Sequence, residues 1–227
     1  MEITNTRYYG LEESVLASGY PMLAKAPTEQ EFKDAVVDML TEQGRIKYVE
    51  KDDNIFECNK HFKRMKKLAS AKASSGHDCA LKGIIVQMDV KAPQYFWQQI
   101  QRYHFIDIVA SMSKMHCIQK FDLSKQCLIE TDASSYMKCQ ELLDSYKARI
   151  EGVDIDDVLA NVPMGLEITA RMSTNYLQLK TIYNQRKNHR SQQWRIFCDW
   201  IKTLPYAKEL ITNEWTWNDT RAKRRIC

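Results

Sequence analysis

Apolar residues recur at helical spacing through most of the second half of the chain. After Asp132, a favoured helix-capping residue type, apolar side chains return every three or four positions until Gly152, as in a helix with one buried face. Similar spacing predicts a long helix from about residue 173 to 186 and another from 192 to 204. The second half is therefore predicted to be rich in helix.

The first half mixes helical and strand signals. A capping box, Thr28-Glu29-Gln30-Glu31, opens a helix that is predicted to end at Gly44. Residues 45–58 have the pattern of a hairpin, and the β-branched run 81–90 predicts the best strand in the chain. Residues 5–22 contain two glycines and a proline and are predicted to be irregular. Together the two halves predict an α+β protein in which helices dominate.

Length and composition are those of an ordinary globular protein. The chain has 227 residues, of which 44% are hydrophobic and 27% charged, so the disordered and coiled-coil classes are excluded. Only 7 glycines and 5 prolines argue against a sandwich or barrel with many tight turns. We expect one domain spanning residues 1–227. The net charge of +4 is too small to indicate nucleic-acid binding by itself.

The sequence lacks several features of membrane and secreted proteins, and this bears on where in the cell the protein is expected. No apolar run approaches the roughly 20 residues that a membrane helix needs. The segment Met1–Asn5 lacks the basic start and apolar stretch of a signal peptide. The 7 cysteines are an odd number without a CxxC pair, which is typical of free thiols in a reducing compartment. We therefore expect a cytoplasmic protein without membrane association.

Two features suggest ligands only weakly. Cys58 and His61 together with His77 and Cys79 could supply four zinc ligands, but their spacing lacks the paired CxxC pattern, so no metal is predicted. The basic tail Arg221–Arg225 is the one segment that could contact nucleic acid, and such an end is usually solvated.

Arg186 is the most informative single residue. In the predicted helix 173–186, eleven residues at 3.6 per turn return within about 20° of the start, so Asn175 and Arg186 are predicted to share one face. An arginine on such a face needs an anionic or carbonyl partner, either a ligand or an internal carboxylate. Further basic residues follow it: Lys187, His189 and Arg190. This segment is a candidate phosphate contact.

Two blocks of residues carry a further signal through their order and spacing. In the first block, His77 precedes the predicted strand and Pro93 opens a helix. That helix leads to Gln99 and to the triplet Arg102-Tyr103-His104, and the segment Ala110-Ser111-Met112-Ser113 follows.

The second block begins at Val162-Pro163 and continues through Asn175 and Arg186 to Gln192-Gln193-Trp194. In order and spacing, the two blocks resemble the flavin-dependent thymidylate synthase family, over roughly residues 77–204. The match lies in the set of motifs taken together rather than in any single one.

The resemblance implies a fold and an activity. The implied fold is the thymidylate synthase-complementing type, a twisted antiparallel sheet with flanking helices, assembled as a homotetramer with FAD and dUMP at subunit interfaces. The implied reaction is a reductive one-carbon transfer to a pyrimidine nucleotide, converting dUMP to dTMP or acting on a related nucleotide. FAD is the implied cofactor, NADPH the reductant and methylenetetrahydrofolate the one-carbon donor.

The resemblance also implies roles for individual residues. The implied cofactor contacts are His77, Arg102, His104 and Asn175. The implied substrate contacts are Gln99, Arg102, Ser111, Ser113 and Arg186. Of these, Ser113 and Arg186 are the implied catalytic residues.

Departures from the family pattern leave other hypotheses open. His104 replaces the second arginine of an Arg-His-Arg triplet, Ala110 and Ser111 stand where the family has an Asn-Glu pair, and Leu177 stands where it has an arginine. A second hypothesis is therefore a non-catalytic relative that binds a nucleotide or nucleic acid. A third is a structural or partner-binding protein with a vestigial pocket.

Overall fold

The computed structural model describes residues 1–48, 60–71 and 76–213. These residues divide into two compact units. The first unit consists of residues 1–7 and 87–173, and the second contains the rest of the described chain. The expectation of one domain stays a prediction, and each unit is described by itself below.

The sheet has four antiparallel strands in the order β1-β2-β4-β3. The strands are β1 (Glu2–Tyr9), β2 (Ile85–Pro93), β3 (Ile106–Ser111) and β4 (Glu167–Asn175). Burial alternates along β2, where Val86, Met88 and Val90 are buried while the residues between them are half-buried. This period of two places one face of the sheet on a core. The predicted α+β fold with an antiparallel sheet is confirmed.

The described α-helices differ widely in length. In chain order they are α1 (Leu11–Ala17), α2 (Glu29–Tyr48), α3 (Lys60–Ala69), α4 (Gln94–Ile100), α5 (Lys114–Cys117), α6 (Leu123–Gln126), α7 (Ala133–Lys147), α8 (Ile155–Ala160), α9 (Tyr176–Arg186) and α10 (Gln192–Lys202). Short 3₁₀ turns occur at Tyr20–Met22, Cys79–Gly83 and Ile118–Lys120, and Lys208–Thr212 forms a π-helical turn. None of the described helices is both long and apolar enough to cross a membrane.

Each unit has its own core. In the first unit one buried cluster consists of Ile118, Leu123, Cys127, Cys139, Leu143, Val158 and Leu166. The largest fully buried side chains of the second unit are Trp194, Tyr176, Tyr183, Phe62, Phe197, Leu11, Met65, Leu81 and Ile84. Aromatic residues therefore dominate the second core, where α9 and α10 meet.

Two helix starts form as their capping residues predict. The side chain of Asp132 accepts a hydrogen bond from the Ser134 backbone N–H at 2.8 Å and begins α7. The Thr28 N–H donates to the Glu31 carboxylate at 2.7 Å, and the Glu31 N–H donates back to the Thr28 hydroxyl at 3.3 Å. The carboxylate also accepts a hydrogen bond from the Thr28 hydroxyl at 2.8 Å, and the two hydrogen bonds that it accepts from Thr28 lower the pKa of the Glu31 carboxyl group. Local polar spacing is sufficient here because both partners lie within one helical turn.

The predictions for the first half need correction at two places. Residues 5–22 are not irregular, because they form most of β1, all of α1 and a 3₁₀ turn. Helix α2 continues through Gly44 to Tyr48, so the first strand of the predicted hairpin is wrong. Glycine costs a helix only about 1 kcal/mol and does not by itself end one. The rest of the hairpin, residues 49–58, lies outside the described residues.

The predicted helix 173–186 also starts in the wrong place. Residues 173–175 are the end of β4, and α9 begins only at Tyr176. Burial along β4 alternates at Ala170, Met172 and Thr174, which is the period of a strand. Asn175 is extended and caps the helix, a position that asparagine favours.

Candidate functional site

Five of the predicted site residues lie in the first unit, close to β3 in the chain. Gln99 is half-buried in the last turn of α4. Arg102 and His104 are exposed in the turn that joins α4 to β3, where the Arg102 N–H donates to the Gln99 carbonyl at 3.3 Å. The turn thus presents two cationic or ionisable side chains immediately after a glutamine amide.

The two predicted serines follow at the other end of β3. Ser111 is the last residue of that strand and is exposed. Ser113 is half-buried and caps α5, where its hydroxyl accepts a long hydrogen bond of 3.4 Å from the His116 N–H. The Ser113 hydroxyl proton does not take part in that bond, and it is donated to no acceptor among the described residues.

A lysine beside Ser113 adds a fixed positive charge that sequence reasoning missed. The Lys114 ammonium donates to the Gln94 side-chain oxygen at 2.7 Å. Gln94 in turn donates to the Pro163 carbonyl at 3.0 Å. These two hydrogen bonds fix the ammonium of the residue that follows Ser113 in the chain. The Lys-Ser adjacency is visible in the sequence, but the partner of the lysine is not.

Arg186 lies at the end of α9 in the second unit and stacks on an aromatic ring. Its guanidinium carbon is 4.7 Å from the centroid of Trp194, whose side chain is fully buried. Trp194 packs edge-on against Phe197 at 5.9 Å and against His189 at 6.3 Å. This stack holds the half-buried guanidinium in one place, which favours recognition of a planar anionic or carbonyl group.

Asn175 does not share a helix face with Arg186 as predicted. It precedes α9, and its side-chain oxygen accepts a hydrogen bond from the Gln178 N–H at 2.9 Å. The Nδ2 group of Asn175 donates to no other described residue. The cap therefore orients the amide and leaves its donor available.

A cluster of positive charge surrounds the corner between α9 and α10. We define the corner cluster as Arg186, Lys187, His189, Arg190 and Arg195. Arg195 donates to the His189 and Arg190 carbonyls at 3.0 and 2.8 Å, so it fixes the backbone of the corner. The Ser191 N–H donates to Nδ1 of His189 at 3.1 Å. His189 therefore accepts at Nδ1 and carries its proton at Nε2 when neutral.

Burial and the neighbouring arginines depress the pKa of His189. Partial burial contributes most, and Arg186, Arg190 and Arg195 add charge repulsion. The positive field that these three arginines add also favours binding of an anion. The electrostatics of the corner cluster therefore suit a phosphate.

The position of His77 is fixed by the buried residue that follows it, Asp78. The His77 side chain is exposed, but Asp78 is buried and pairs with Lys180 of α9, Nζ to Oδ2, at 2.7 Å. The same ammonium donates to the Ala69 carbonyl at 2.6 Å. Lys180 thereby ties the loop of His77 to α9 and to the end of α3. Sequence reasoning missed this pair, although a lysine between the buried Tyr176 and Tyr183 was a signal for it.

The alternative zinc site gains no support from the described residues. Cys58 lies outside them. Nδ1 of His61 is 3.1 Å from the Arg64 guanidinium, which is a poor neighbour for a second cation.

Of three comparisons with known proteins, the one with solved structures agrees with this architecture. No protein-family model matches the sequence, and neither does any curated protein. Among solved structures, the chain is similar to flavin-dependent thymidylate synthase ThyX from Helicobacter pylori complexed with FAD and dUMP. That match has a TM-score of 0.65 at 14% identity and covers 95% of this chain and 100% of the other. A second structure of ThyX from Helicobacter pylori with FAD and dUMP has a TM-score of 0.64 at 13% identity, covering 94% and 98% of the two chains.

The chain has the fold of a flavin-dependent thymidylate synthase. The resemblance inferred from the two sequence blocks is thus confirmed at the level of the fold. A fold is shared by proteins of different activity, so the roles of the site residues remain predictions. The basic tail, Arg221–Arg225, lies outside the described residues.

Proposed function

We propose that this protein is an FAD-dependent enzyme of the thymidylate synthase type. It transfers a one-carbon unit reductively to a pyrimidine nucleotide, dUMP or a related one. The observation that carries the proposal is the structural match to ThyX complexed with FAD and dUMP over 95% of this chain. The order of His77, Gln99, Arg102, Asn175 and Arg186 along the chain supports it independently.

The residues present fit the chemistry of a flavin nucleotide. FAD carries two phosphates and needs cations or N–H donors around them. The corner cluster and Arg102 offer such cations, and the Nδ2 group of Asn175 is a donor without a described partner. Bound FAD would supply the hydride chemistry, with NADPH as reductant and methylenetetrahydrofolate as one-carbon donor.

The side chains of this protein would bind and orient. Arg186, fixed over Trp194, would hold a phosphate or a pyrimidine carbonyl with its planar fork. The amide of Gln99 would read the edge of the pyrimidine, and Ser111 and Ser113 would offer hydroxyls to the substrate. Arg102, His104 and His77 would contact the cofactor. We further propose a cytoplasmic homotetramer with sites shared between subunits.

Buried polar groups near the corner give one more reason to expect a ligand. The side-chain oxygen of Gln193 is buried in the first turn of α10 and receives no hydrogen bond from any described residue. An unsatisfied buried acceptor costs about 1–3 kcal/mol. A ligand N–H donor would remove that cost, whereas a phosphate would not.

A second candidate function is a non-catalytic nucleotide-binding relative. The observation that favours it is the loss of charge at positions where the family has arginines, among them His104 and Leu177. Leu177 is half-buried in the first turn of α9 and has no charge to offer a phosphate. In this reading Arg186 still binds a nucleotide, and the flavin is absent.

Flavin binding and the role of Arg186 can be tested together. Titration of the purified protein with FAD should quench flavin fluorescence and give a bound flavin absorption band.

Calorimetric titration with dUMP should show that Arg186→Ala weakens binding by about 1.5–3 kcal/mol, the value of a hydrogen bond to a charged group. Arg186→Lys should recover only part of this because lysine lacks the planar fork. Lys187→Met, which removes the neighbouring charge, should have a smaller effect.

The outcomes separate the hypotheses. Nucleotide binding without any FAD binding would reject the enzyme and support the non-catalytic relative. If Arg186→Ala lowers the melting temperature and leaves dUMP affinity unchanged, the arginine has a structural role, and its proposed role in substrate binding is wrong.

A further inference from the structure

The first unit contains a groove that the proposed function does not use. It lies between the start of α6 and the first two turns of α7, and its volume is about 420 Å³. Small-molecule sites usually occupy about 300–1,000 Å³, so this groove suits a small ligand. We call it the α6–α7 groove. All of its lining residues belong to the first unit, and none of them has a role in the proposed function: Phe121, Asp122, Ser124, Tyr136, Met137 and Gln140.

Two aromatic rings and a thioether form the apolar part of the α6–α7 groove. Phe121 and Tyr136 are half-buried and pack against the buried cluster of the first unit. Met137 is 54% exposed although its side chain is apolar. The faces of aromatic rings carry partial negative charge and attract cations, and a thioether adapts its shape to a ligand. An apolar lining of this kind favours an organic cation.

The polar groups of the groove are better placed to accept hydrogen bonds than to donate them. The Ser124 hydroxyl donates its one proton to the Asp122 carboxylate at 2.6 Å. The Gln140 amide nitrogen donates to Asp144 at 2.9 Å, and the Gln140 side-chain oxygen receives no hydrogen bond from the described residues. A ligand that carries N–H donors therefore complements these groups better than a ligand that only accepts.

Asp122 keeps a negative charge at the rim of the groove. Its carboxylate pairs with the Lys125 ammonium at 2.8 Å and accepts a hydrogen bond from the Ser124 N–H at 3.2 Å. Lys125 contributes most and Ser124 adds to it, and together they lower the pKa of Asp122 to about 2, so the carboxylate is ionised at neutral pH. The Lys125 side chain is 84% exposed, and exposed ion pairs are weak, so a bound cation can share this carboxylate.

The chain around the groove is acidic, in contrast to the protein as a whole. Residues 121–160 contain 9 acidic and 4 basic side chains, whereas the whole chain has a net charge of +4. The summed field of these carboxylates concentrates cations at this part of the surface. The field attracts cations in general, and the aromatic lining then selects those with an apolar body.

We infer that the α6–α7 groove binds a small organic cation, a primary ammonium group on a short apolar body. The ammonium group lies against the Asp122 carboxylate and the Gln140 side-chain oxygen, and the apolar body contacts Phe121, Tyr136 and Met137. Charge complementarity selects the cation, and the rings select the apolar body. This site goes beyond the proposed function, whose candidate residues contribute nothing to its lining.

Met137 supplies a reporter inside the groove. In protein that carries ¹³C-labelled methionine methyl groups, the signal missing from a Met137→Leu variant identifies the Met137 methyl group. An aromatic ligand in the groove shifts this signal through its ring current, so a titration gives the dissociation constant. Met115, which is 53% exposed and lies outside the lining, is the reference signal and should not shift.

The experiment compares two probes of nearly equal shape that differ in charge. Phenethylammonium is cationic at neutral pH and carries N–H donors, whereas 2-phenylethanol has a neutral hydroxyl in the same place. Phenethylammonium should shift the Met137 signal at millimolar concentration. The alcohol should bind about fivefold more weakly or worse, because it loses the contacts of a cation with the carboxylate and the rings. This comparison uses the unmodified protein and depends on no variant.

Two matched variants test the role of Asp122. Asp122→Asn should weaken phenethylammonium binding about two- to fivefold, because asparagine keeps the helix cap and removes the charge. The control is Asp132→Asn. Asp132 also caps a helix and also accepts hydrogen bonds from the N–H and the hydroxyl of the serine two residues later, but it lies outside the groove. Its replacement should leave the affinity unchanged.

Three results would overturn the inference. They are an unshifted Met137 signal with millimolar phenethylammonium, equal affinities for phenethylammonium and the alcohol, and equal effects of Asp122→Asn and Asp132→Asn. Displacement of phenethylammonium by dUMP or FAD would assign the groove to the nucleotide site and reject a separate site. A failure of FAD to bind anywhere would refute the proposed enzyme without changing these measurements.

Discussion

At the scale of single residues, the site depends on a few polar groups held by long-range partners. Lys180 and Asp78 are 3% and 4% exposed, and they lie 102 positions apart in the chain. Their ion pair fixes the loop that carries His77. Arg186 depends in the same way on Trp194, and each arrangement satisfies a charge that burial would otherwise penalise.

Replacing one member of the buried pair should destabilise the protein much more than replacing both members. Lys180→Met leaves the Asp78 carboxylate buried without a partner and should cost about 3–5 kcal/mol of unfolding free energy. The double variant Lys180→Met, Asp78→Asn should cost clearly less than the sum of the single changes. Urea unfolding measures all three. The control is Lys33→Met, which breaks an exposed pair with Glu29 and should cost at most about 0.5 kcal/mol. Similar losses of unfolding free energy for Lys180→Met and Lys33→Met would show that the buried pair stabilises the protein no more than an exposed pair does.

At the scale of elements, the connection between β1 and α1 requires a glycine. Gly10 begins α1 with a φ of 73°, a left-handed conformation that other residues rarely adopt. A Cβ atom at Gly10 would also lie 2.6 Å from the Gly83 carbonyl oxygen. The close approach of two backbone segments therefore fixes the residue type, and it positions α1 beside the segment that begins with His77.

Gly10→Ala should destabilise the protein by more than backbone strain alone. Gly152 is the matched control because its φ is 82° and a Cβ atom added there would meet no other atom within 4 Å. Gly152→Ala should cost about 1–2 kcal/mol, the penalty of a left-handed backbone. Gly10→Ala should cost more, since the Gly83 carbonyl must also move. The urea midpoints of the two variants measure the difference. Equal shifts would mean that the protein relieves the contact between the new Cβ atom and the Gly83 carbonyl without losing stability.

At the scale of the whole molecule, exposed apolar residues lie at the edge strand β3. Val109 on β3 is 59% exposed, and Phe105 just before that strand is 67% exposed. An exposed apolar edge strand is prone to pair with another chain. This agrees with the proposed homotetramer, in which subunits share a site.

Light scattering should therefore give a mass four times the 26.6 kDa of the chain. Val109→Lys places a charge on the exposed strand and should lower that mass. Val37→Lys is the control, because Val37 is 58% exposed on α2 rather than on the sheet. A monomer of the unmodified protein at micromolar concentration would contradict the proposed assembly, and equal effects of both variants would exclude β3 from the interface.

The sequence by itself determined the features whose signals are local. The caps at Asp132 and Thr28 act within one turn, so they could be predicted from a few neighbouring residues. The order and spacing of the two blocks were sufficient to predict the fold, because spacing along the chain reflects the order of its elements. The same local reasoning failed at residues 173–175, where the choice between strand and helix depends on pairing with distant strands.

Only the tertiary structure decided which partners the candidate residues have. Helical spacing indicated that Arg186 needed a partner, and the fold places its guanidinium over the ring of Trp194. The pair of Lys180 with Asp78 brings together segments that are far apart in the chain. A charge tolerates burial only where the folded chain supplies a partner, and no local pattern specifies which distant residue that is. The sequence thus determined the elements and their order, while packing determined the contacts that make a site.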